Sequence, residues 1–179
     1  DEKDWIDLYK KLVYWELELE KSKESGMDEV FQMQKTEANA QFGKFVERNY
    51  VSWLDHPEDA PTMSHNLFNK YVIPEIKNDD KSVFFVVIDN LRYDQWKTLR
   101  PIITQDFWVD EEDAFYSILP TTTQYSRNAI FAGMMPSEIE RKFPDKWVND
   151  EDEGGRNLSE QFFISEQLRR NGLDIKFSY

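Results

Sequence analysis

The chain has 179 residues, no cysteine and a formal net charge of −13. Its length allows one domain or one and a half, with enough residues to bury a core. The lack of cysteine excludes disulfide frameworks and thiolate zinc sites, and the acidic balance disfavours a surface that binds nucleic-acid backbone through clustered cations. No apolar run approaches the roughly 18 residues of a transmembrane helix and no signal peptide is visible, so we expect a soluble, cytoplasmic protein without membrane insertion.

Residues 1–77 are predicted to form a helical bundle. Apolar residues in the first segment recur at alternating spacings of three and four, which is typical of a helix packed on other helices. These residues are Trp5, Leu8, Leu12, Trp15 and Leu19. A second helical pattern follows the break at Ser25-Gly26 and ends before Pro57, giving a helical hairpin. A third, shorter helix is predicted from Ser64 to about Pro74.

Residues 78–179 have an α/β pattern. After the turn cluster at Asn78-Asp79-Asp80, apolar runs predict three strands, and the first run is continuous as in a strand covered on both faces of a parallel sheet. The predicted strands are Val83–Ile88, Ala114–Leu119 and Ile175–Tyr179. Helices are predicted at Tyr93–Ile103, at Gln124–Ala132 with Gly133 and Pro136 closing it, and from a capping box of Asn157 and Glu160 to Arg170. A solvated loop is expected between residues 145 and 155.

Two segments whose side chains could take part in a reaction follow the first two predicted strands. Asp89 comes directly after the first strand, and the hydroxyls of Thr121, Thr122 and Thr123 lie between the second strand and a helix. Ligands bind outside the carboxyl ends of strands in open α/β sheets, and a helix start favours a phosphate oxygen. A threonine hydroxyl needs a base or a metal to become a nucleophile. The pattern is therefore consistent with half of a metal-dependent phosphoryl-transfer site.

A purely structural interpretation accounts for the same residues. An aspartate that closes a buried strand is often a cap or turn residue, and a threonine run before a helix is often an N-cap. Residue types and spacing alone leave both interpretations open.

The residues of both segments resemble the alkaline phosphatase superfamily, and in particular its PglZ branch. The similarity lies in Val87–Arg92, in Pro120–Gln124 and in Ala132–Pro136. The resemblance implies that Asp89 is a zinc ligand and that a threonine at the helix start is the nucleophile. Related nucleotide pyrophosphatases use the second threonine of a Pro-Thr-x-Thr turn, which points to Thr123, with Thr122 as runner-up. It also implies a mostly parallel sheet with flanking helices, of which residues 78–179 would be the N-terminal, truncated part.

The segment Trp5–Leu19 resembles the helical linker of response regulators that carry a PglZ domain and are linked to the type IX secretion system. That resemblance implies a two-component output region whose PglZ domain is a zinc phosphodiesterase acting on oligonucleotides. It further implies a homodimer formed on phosphorylation. The partners it implies are a sensor histidine kinase, an extracytoplasmic-function sigma factor and a secretion motor subunit.

The superfamily completes a site for two zinc ions with aspartate and histidine ligands downstream of the nucleophile. This chain has no histidine after Thr123, because His56 and His65 both precede the first predicted strand. Carboxylates alone do not make the nitrogen-rich sites that zinc prefers. We therefore expect the remaining ligands outside this chain, beyond Tyr179, and little hydrolysis by the fragment alone. Arg127 or Asn128 is a candidate to contact a non-bridging phosphate oxygen.

Two functions of different class follow from the sequence. The first is the phosphodiesterase output region just described, with an incomplete metal site in this chain. The second is a non-catalytic module for signalling, dimerisation and partner binding, in which the helices transmit the signal.

Overall fold

The computed structural model describes residues 1–22, 26–78, 82–148 and 158–179. These residues form a helical structure. The elements are, in chain order, α1 (Glu2–Ser22), α2 (Asp28–Asp55), a π-helical turn (Phe68–Val72), α3 (Ile73–Asn78), α4 (Tyr93–Ile103), α5 (Thr123–Ala132), α6 (Pro136–Lys142), a 3-10 turn (Pro144–Lys146) and α7 (Glu160–Arg170). No helix in these ranges is both long enough and apolar enough to cross a membrane.

The chain divides into two compact units. The first contains Asp1–Pro61 and Ile88–Ala114, and the second contains Thr62–Val87 and Phe115–Tyr179. Each unit is a group of residues that pack together in space and consists of two separate stretches of the chain. The boundary that the sequence pattern predicts between residues 77 and 78 stays a prediction.

The first unit is built on the predicted hairpin, because α1 packs against α2. The Trp5 ring lies 5.5 Å from the Phe42 ring and 5.8 Å from the Phe45 ring, measured between centroids. An ion pair between Lys35 of α2 and Glu16 of α1 adds a polar link. Aromatic pairs of this kind combine buried area with a preferred ring geometry. Trp5 of the predicted apolar stripe therefore holds the two helices together, whereas Leu8 and Trp15 of the same stripe are exposed.

Helix α4 packs on α1 within the first unit and has the predicted bounds, Tyr93–Ile103. The Tyr93 ring lies 6.0 Å from that of Tyr9. The backbone N–H of Arg92 donates to Gln95 Oε1 at 3.0 Å and thereby closes the helix start. Pro101 lies inside α4, two residues before its end, and has no N–H to donate to the carbonyl oxygen four residues earlier.

The second unit has its core between α5 and α7. Buried side chains from both helices meet those of the π-helical turn and of α6. The fully or nearly buried members include Phe68, Phe131, Ile139, Phe163 and Leu168. Helix α5 ends as predicted at Gly133, whose φ of 58° is left-handed and suits glycine. Pro136, predicted only as a stop signal, begins α6, because proline at a first helical position loses no hydrogen bond.

The predicted parallel sheet is wrong, and so is the α/β fold class. Within the described ranges the sole β-pairing is an isolated parallel bridge between Met63 and Tyr116, and no strand of a sheet is present. Residues 83–88 are covered on one face only, because Phe85 and Val87 pack on the core while Phe84 is 87 % exposed and Val86 is 74 % exposed. A strand requires hydrogen bonds from a neighbouring segment, which an apolar composition does not supply.

Smaller predictions have mixed outcomes. The third helix does not end at Pro74, which instead lies in the first turn of α3. The segments 114–119 and 175–179, predicted as strands, run without a ladder. The predicted break at Ser25, the turn residues Asp79 and Asp80, most of the loop at residues 145–155 and the capping residue Asn157 lie outside the described residues.

Candidate functional site

Thr123 is the first residue of α5 and is exposed to solvent. Thr122 precedes it as the N-cap, with extended backbone angles of φ −68° and ψ 151°. The carbonyl oxygen of Thr122 accepts hydrogen bonds from the backbone N–H groups of Tyr125 (3.1 Å) and Ser126 (2.9 Å). The first N–H groups of a helix point out of its start and carry partial positive charge. The candidate nucleophile therefore lies where an anionic oxygen is favoured.

A cluster of serine hydroxyls anchors the start of α5. Ser126 Oγ lies 2.7 Å from Ser117 Oγ and 3.0 Å from Ser64 Oγ. Ser64 Oγ also accepts a hydrogen bond from the backbone N–H of Ile118 at 3.1 Å. Ser64 is fully buried and Ser117 and Ser126 are half-buried, and the three hydroxyls satisfy one another. The cluster fixes the segment before the Pro120–Gln124 turn against the helix that follows the turn.

Arg127 lies one helical turn after Thr123, on the same side of α5. Its Nη2 donates to Glu160 Oε2 at 2.9 Å, and its Nε contacts Glu160 Oε1. Its guanidinium carbon lies 5.6 Å from the centre of the Phe131 ring. The Arg127 side chain is 29 % exposed, whereas that of Glu160 is 1 % exposed. Arg127 is thus held by a buried carboxylate and an aromatic ring.

Asn128 and Gln124 are buried rather than turned to solvent. Asn128 is 1 % exposed and Gln124 is 3 % exposed. The Gln124 side-chain amide donates to the carbonyl oxygen of Val148. These two side chains face the interior, so Arg127 is the more accessible of the two predicted phosphate contacts.

Asp89 lies in the first compact unit, in an exposed turn before α4. The next residue, Asn90, has a φ of 59°, a left-handed conformation that asparagine tolerates better than most residues. Thr123 belongs to the second unit. The structure therefore places the candidates Thr123 and Arg127 together on α5. Asp89 is a candidate only because of the sequence motif Val87–Arg92.

The two histidines have different surroundings. His56 is exposed, with its Nδ1 3.6 Å from Glu58 Oε1. His65 is half-buried, and burial lowers the pKa of its imidazole, although the nearby Glu138 carboxylate acts in the opposite direction. Desolvation disfavours the charged form of histidine. A neutral imidazole is the form that binds a metal, but within the described part of the chain neither histidine lies in a cluster of possible ligands.

The described residues do not fit a metal ion. Across residues 1–22, 26–78, 82–148 and 158–179, no three side chains of histidine, aspartate or glutamate converge on one point. A catalytic zinc site normally has three protein ligands and an open position. Asp89 would thus be a single ligand whose companions are not among these residues.

The contact of Glu160 with α5 and the serine cluster are not predicted by any sequence pattern. Glu160 was predicted as half of a capping box with Asn157, yet its side chain reaches α5. Glu160 and Arg127 are 33 positions apart, and Ser64 and Ser126 are 62 apart. Neither pair has a periodic spacing, so the chain itself gives no local signal for these contacts.

Comparison with protein families identifies the two parts of the chain. Residues 1–54 match the model of the PorX response regulator linker domain, and residues 67–178 match that of the BREX system PglZ alkaline phosphatase-like domain. No curated protein matches the chain. The second match covers more than half of the 179 residues. The chain therefore belongs to the PglZ alkaline phosphatase-like family and carries this domain behind a PorX response regulator linker.

Proposed function

We propose that this chain is part of a response regulator that controls type IX secretion and whose PglZ domain is a zinc-dependent phosphodiesterase. The observation that carries the proposal is the family match over residues 67–178, which includes both Asp89 and Thr123. Alkaline phosphatase-like domains belong to a class of metal-dependent hydrolases. We place the protein in the cytoplasm, where a sensor histidine kinase transfers a phosphoryl group to its response regulator.

Thr123 is the proposed nucleophile, and its exposed position at the start of α5 supports this role. Its hydroxyl oxygen bonds to phosphorus as one ester bond to the leaving alcohol breaks, and the hydroxyl proton is transferred to a base or to that alcohol. Water then releases the phosphoryl group from the threonine. Thr122 is the second choice, because it is the N-cap and is also exposed. Backbone N–H groups at the helix start would stabilise charge on the phosphoryl oxygens.

Asp89 is proposed as one metal ligand, and Arg127 as the contact to a non-bridging phosphate oxygen, with Asn128 second. Two zinc ions would supply charge stabilisation to the attacking and leaving oxygens in such a domain. Because the described residues do not assemble a metal site, we propose that its other ligands come from residues outside them. Oligonucleotides are the proposed substrate class.

The test is hydrolysis of bis-p-nitrophenyl phosphate by the intact protein, with Thr123→Val and Thr122→Val compared in parallel. We expect Thr123→Val to abolish hydrolysis and Thr122→Val to retain most of it. The isolated 179-residue chain should hydrolyse the diester little, with or without added zinc. Zinc-dependent turnover by that chain, abolished by Thr123→Val, would show that its own residues complete the metal site.

A second candidate function is a signalling, dimerisation and partner-binding module. The linker-domain match over residues 1–54 favours it, as do Leu8 and Trp15, which are 38 % and 57 % exposed on the apolar stripe of α1. The proposed partners are a sensor kinase, an extracytoplasmic-function sigma factor, a secretion motor subunit and, on phosphorylation, a second copy. This function predicts that Asp89→Ala leaves partner binding and secretion intact in the full-length protein. Loss of secretion with the fold retained supports the enzyme.

A further inference from the structure

We propose that Glu160 is a positioning residue, which orients the Arg127 guanidinium so that it binds a non-bridging oxygen of the phosphoryl group attacked by Thr123. This inference rests on the proposed function of Thr123 and adds to it a residue that no motif includes. It also specifies the ligand chemistry, an anionic phosphoryl oxygen recognised through fixed N–H directions.

The burial of Glu160 is the first observation behind this proposal. Its side chain is 1 % exposed, and a buried carboxylate is costly unless it is paired and hydrogen-bonded. Glu160 is paired with Arg127 and hydrogen-bonded at one oxygen: Oε2 accepts from Arg127 Nη2 and from the Tyr179 hydroxyl, while Oε1 lies against Arg127 Nε. Leaving this carboxylate without Arg127 would be strongly unfavourable, so the arginine has little freedom to turn away.

The guanidinium of Arg127 is fixed from two directions. The edge that carries Nε and Nη2 faces Glu160, while the Phe131 ring lies 5.6 Å from the guanidinium carbon. The Nε atom is buried, so the 29 % exposure of this side chain belongs to its other atoms. A planar guanidinium held in this way has fixed N–H directions.

The position of Arg127 on α5 connects the pair to the proposed nucleophile. Thr123 and Arg127 are four residues apart in one helix, hence on the same side and one turn from each other. A phosphoryl group bound at the exposed helix start would lie within reach of a long side chain from the next turn. Glu160 then determines the direction in which that side chain reaches.

Charge and orientation make opposite predictions for Glu160→Gln. If Glu160 acted only through its charge, removing that negative charge would strengthen the binding of anions near Arg127. If Glu160 orients Arg127, the same variant weakens anion binding although the site becomes more positive. The sign of the change therefore separates positioning from simple electrostatics.

The experiment uses the intact protein with zinc and inorganic phosphate as the probe. We measure kcat and KM for bis-p-nitrophenyl phosphate, the inhibition constant of phosphate, and the rise in Tm that phosphate causes. For Glu160→Gln and Arg127→Lys we expect kcat/KM to fall, and the phosphate inhibition constant to rise, by roughly 10-fold or more, the loss typical of one charge-assisted hydrogen bond. The matched control is Glu166→Gln, since Glu166 also pairs with an arginine, but with Arg169 of its own helix. It should leave all values within about twofold.

Three results overturn the inference. The first is Glu160→Gln with unchanged kinetics and phosphate binding but a lower Tm, which would make the pair purely structural. The second is tighter phosphate binding by Glu160→Gln. The third is a wild-type protein whose Tm does not respond to phosphate. A wild-type protein that responds to phosphate but hydrolyses no diester contradicts the proposed function instead, and Glu160→Gln is then judged on phosphate binding alone.

Discussion

Gln167 of α7 lies directly against Gly133, the residue at which α5 ends. A β-carbon on Gly133 would lie 2.7 Å from Gln167 Cδ, closer than such atoms approach in proteins. The Gln167 amide donates to the carbonyl oxygens of Ile130 (3.2 Å) and Phe131 (2.9 Å). Arg170 donates to the carbonyl oxygen of Ala132. Side chains of α7 thus satisfy the carbonyl groups that the end of α5 leaves unpaired.

Gly133→Ala should destabilise the second unit by about 1–3 kcal/mol, because alanine strains the left-handed backbone and its β-carbon meets Gln167. Urea unfolding measures the change. Gly43→Ala is the control, since a β-carbon on Gly43 meets nothing within 4 Å inside α2. That substitution should stabilise by about 0.5–1 kcal/mol. Equal effects of the two changes would contradict the close approach at Gly133.

Gln167→Met should cost roughly 1–3 kcal/mol in the free energy of unfolding, because it keeps the size of the side chain but removes the amide that bonds Ile130 and Phe131. Gln167 is fully buried, so water does not replace the lost donors. The same substitution at the exposed Gln34 should change stability by less than about 0.5 kcal/mol. Hydrogen exchange at the end of α5 should accelerate in Gln167→Met alone.

Trp5→Ala should weaken the hairpin by about 2–3 kcal/mol, because Trp5 contacts both Phe42 and Phe45. Trp15 provides a matched control in the same helix. It is 57 % exposed, with its ring 5.4 Å from that of Tyr14. Trp15→Ala should cost less than about 1 kcal/mol in the isolated chain. Circular dichroism during thermal unfolding distinguishes the two, and a larger loss for Trp15 would contradict the packing of the hairpin.

Tyr93 should ionise well above the range of an ordinary tyrosine. Burial, together with its hydrogen bond to Glu112, raises the pKa of Tyr93 to about 12 from the usual 10.0. Because the folded-state pKa is the higher one, the stability that this group contributes is complete below pH 10 and is lost as the pH rises toward 12. Ultraviolet titration of the wild type against Tyr93→Phe isolates this phenol. A difference signal centred near pH 10 would contradict the prediction.

Glu112→Gln should change the acid limb of the stability curve. The Trp96 indole and the Tyr93 hydroxyl each donate to this carboxylate at 3.0 Å, and these bonds lower the pKa of Glu112. A depressed folded-state pKa stabilises the fold above the usual value of 4.5, and this stabilisation is lost as the pH falls further. The wild type should therefore exceed Glu112→Gln in stability at neutral pH, and the gap should shrink below pH 4.5. Glu111→Gln, at the exposed neighbouring position, should show no such gap.

The helices were the part of the fold that the sequence predicted well. Tyr93–Ile103 has the predicted bounds, and α5 begins one residue before the predicted Gln124. Helical hydrogen bonds link residues four apart, so spacing, caps and stop signals lie close together in the chain. The predicted strands failed for the complementary reason, since a ladder depends on a second segment that the apolar run 83–88 does not specify.

Only those residues of the candidate site that belong to sequence motifs could be predicted. The turn from Pro120 to Gln124 and the helix after it led to Thr123 and to the family, and the family match confirmed the resemblance. The roles of Asp89 and Thr123 stay predictions. The contact between Arg127 and Glu160 had no counterpart in the sequence analysis, although both residues lie on helices that were predicted.

The sequence by itself determined where α1, α2, α4, α5 and α7 form and to which family the chain belongs, because both depend on residues that are near neighbours along the chain. Only the tertiary structure decided that the apolar segments form no sheet among the described residues, that Gln167 completes the end of α5, and that Glu160 is buried against Arg127. These outcomes depend on which distant segments meet. The free energy of burying a carboxylate or an apolar face depends on contacts between segments that are far apart in the chain, and not on the local sequence pattern.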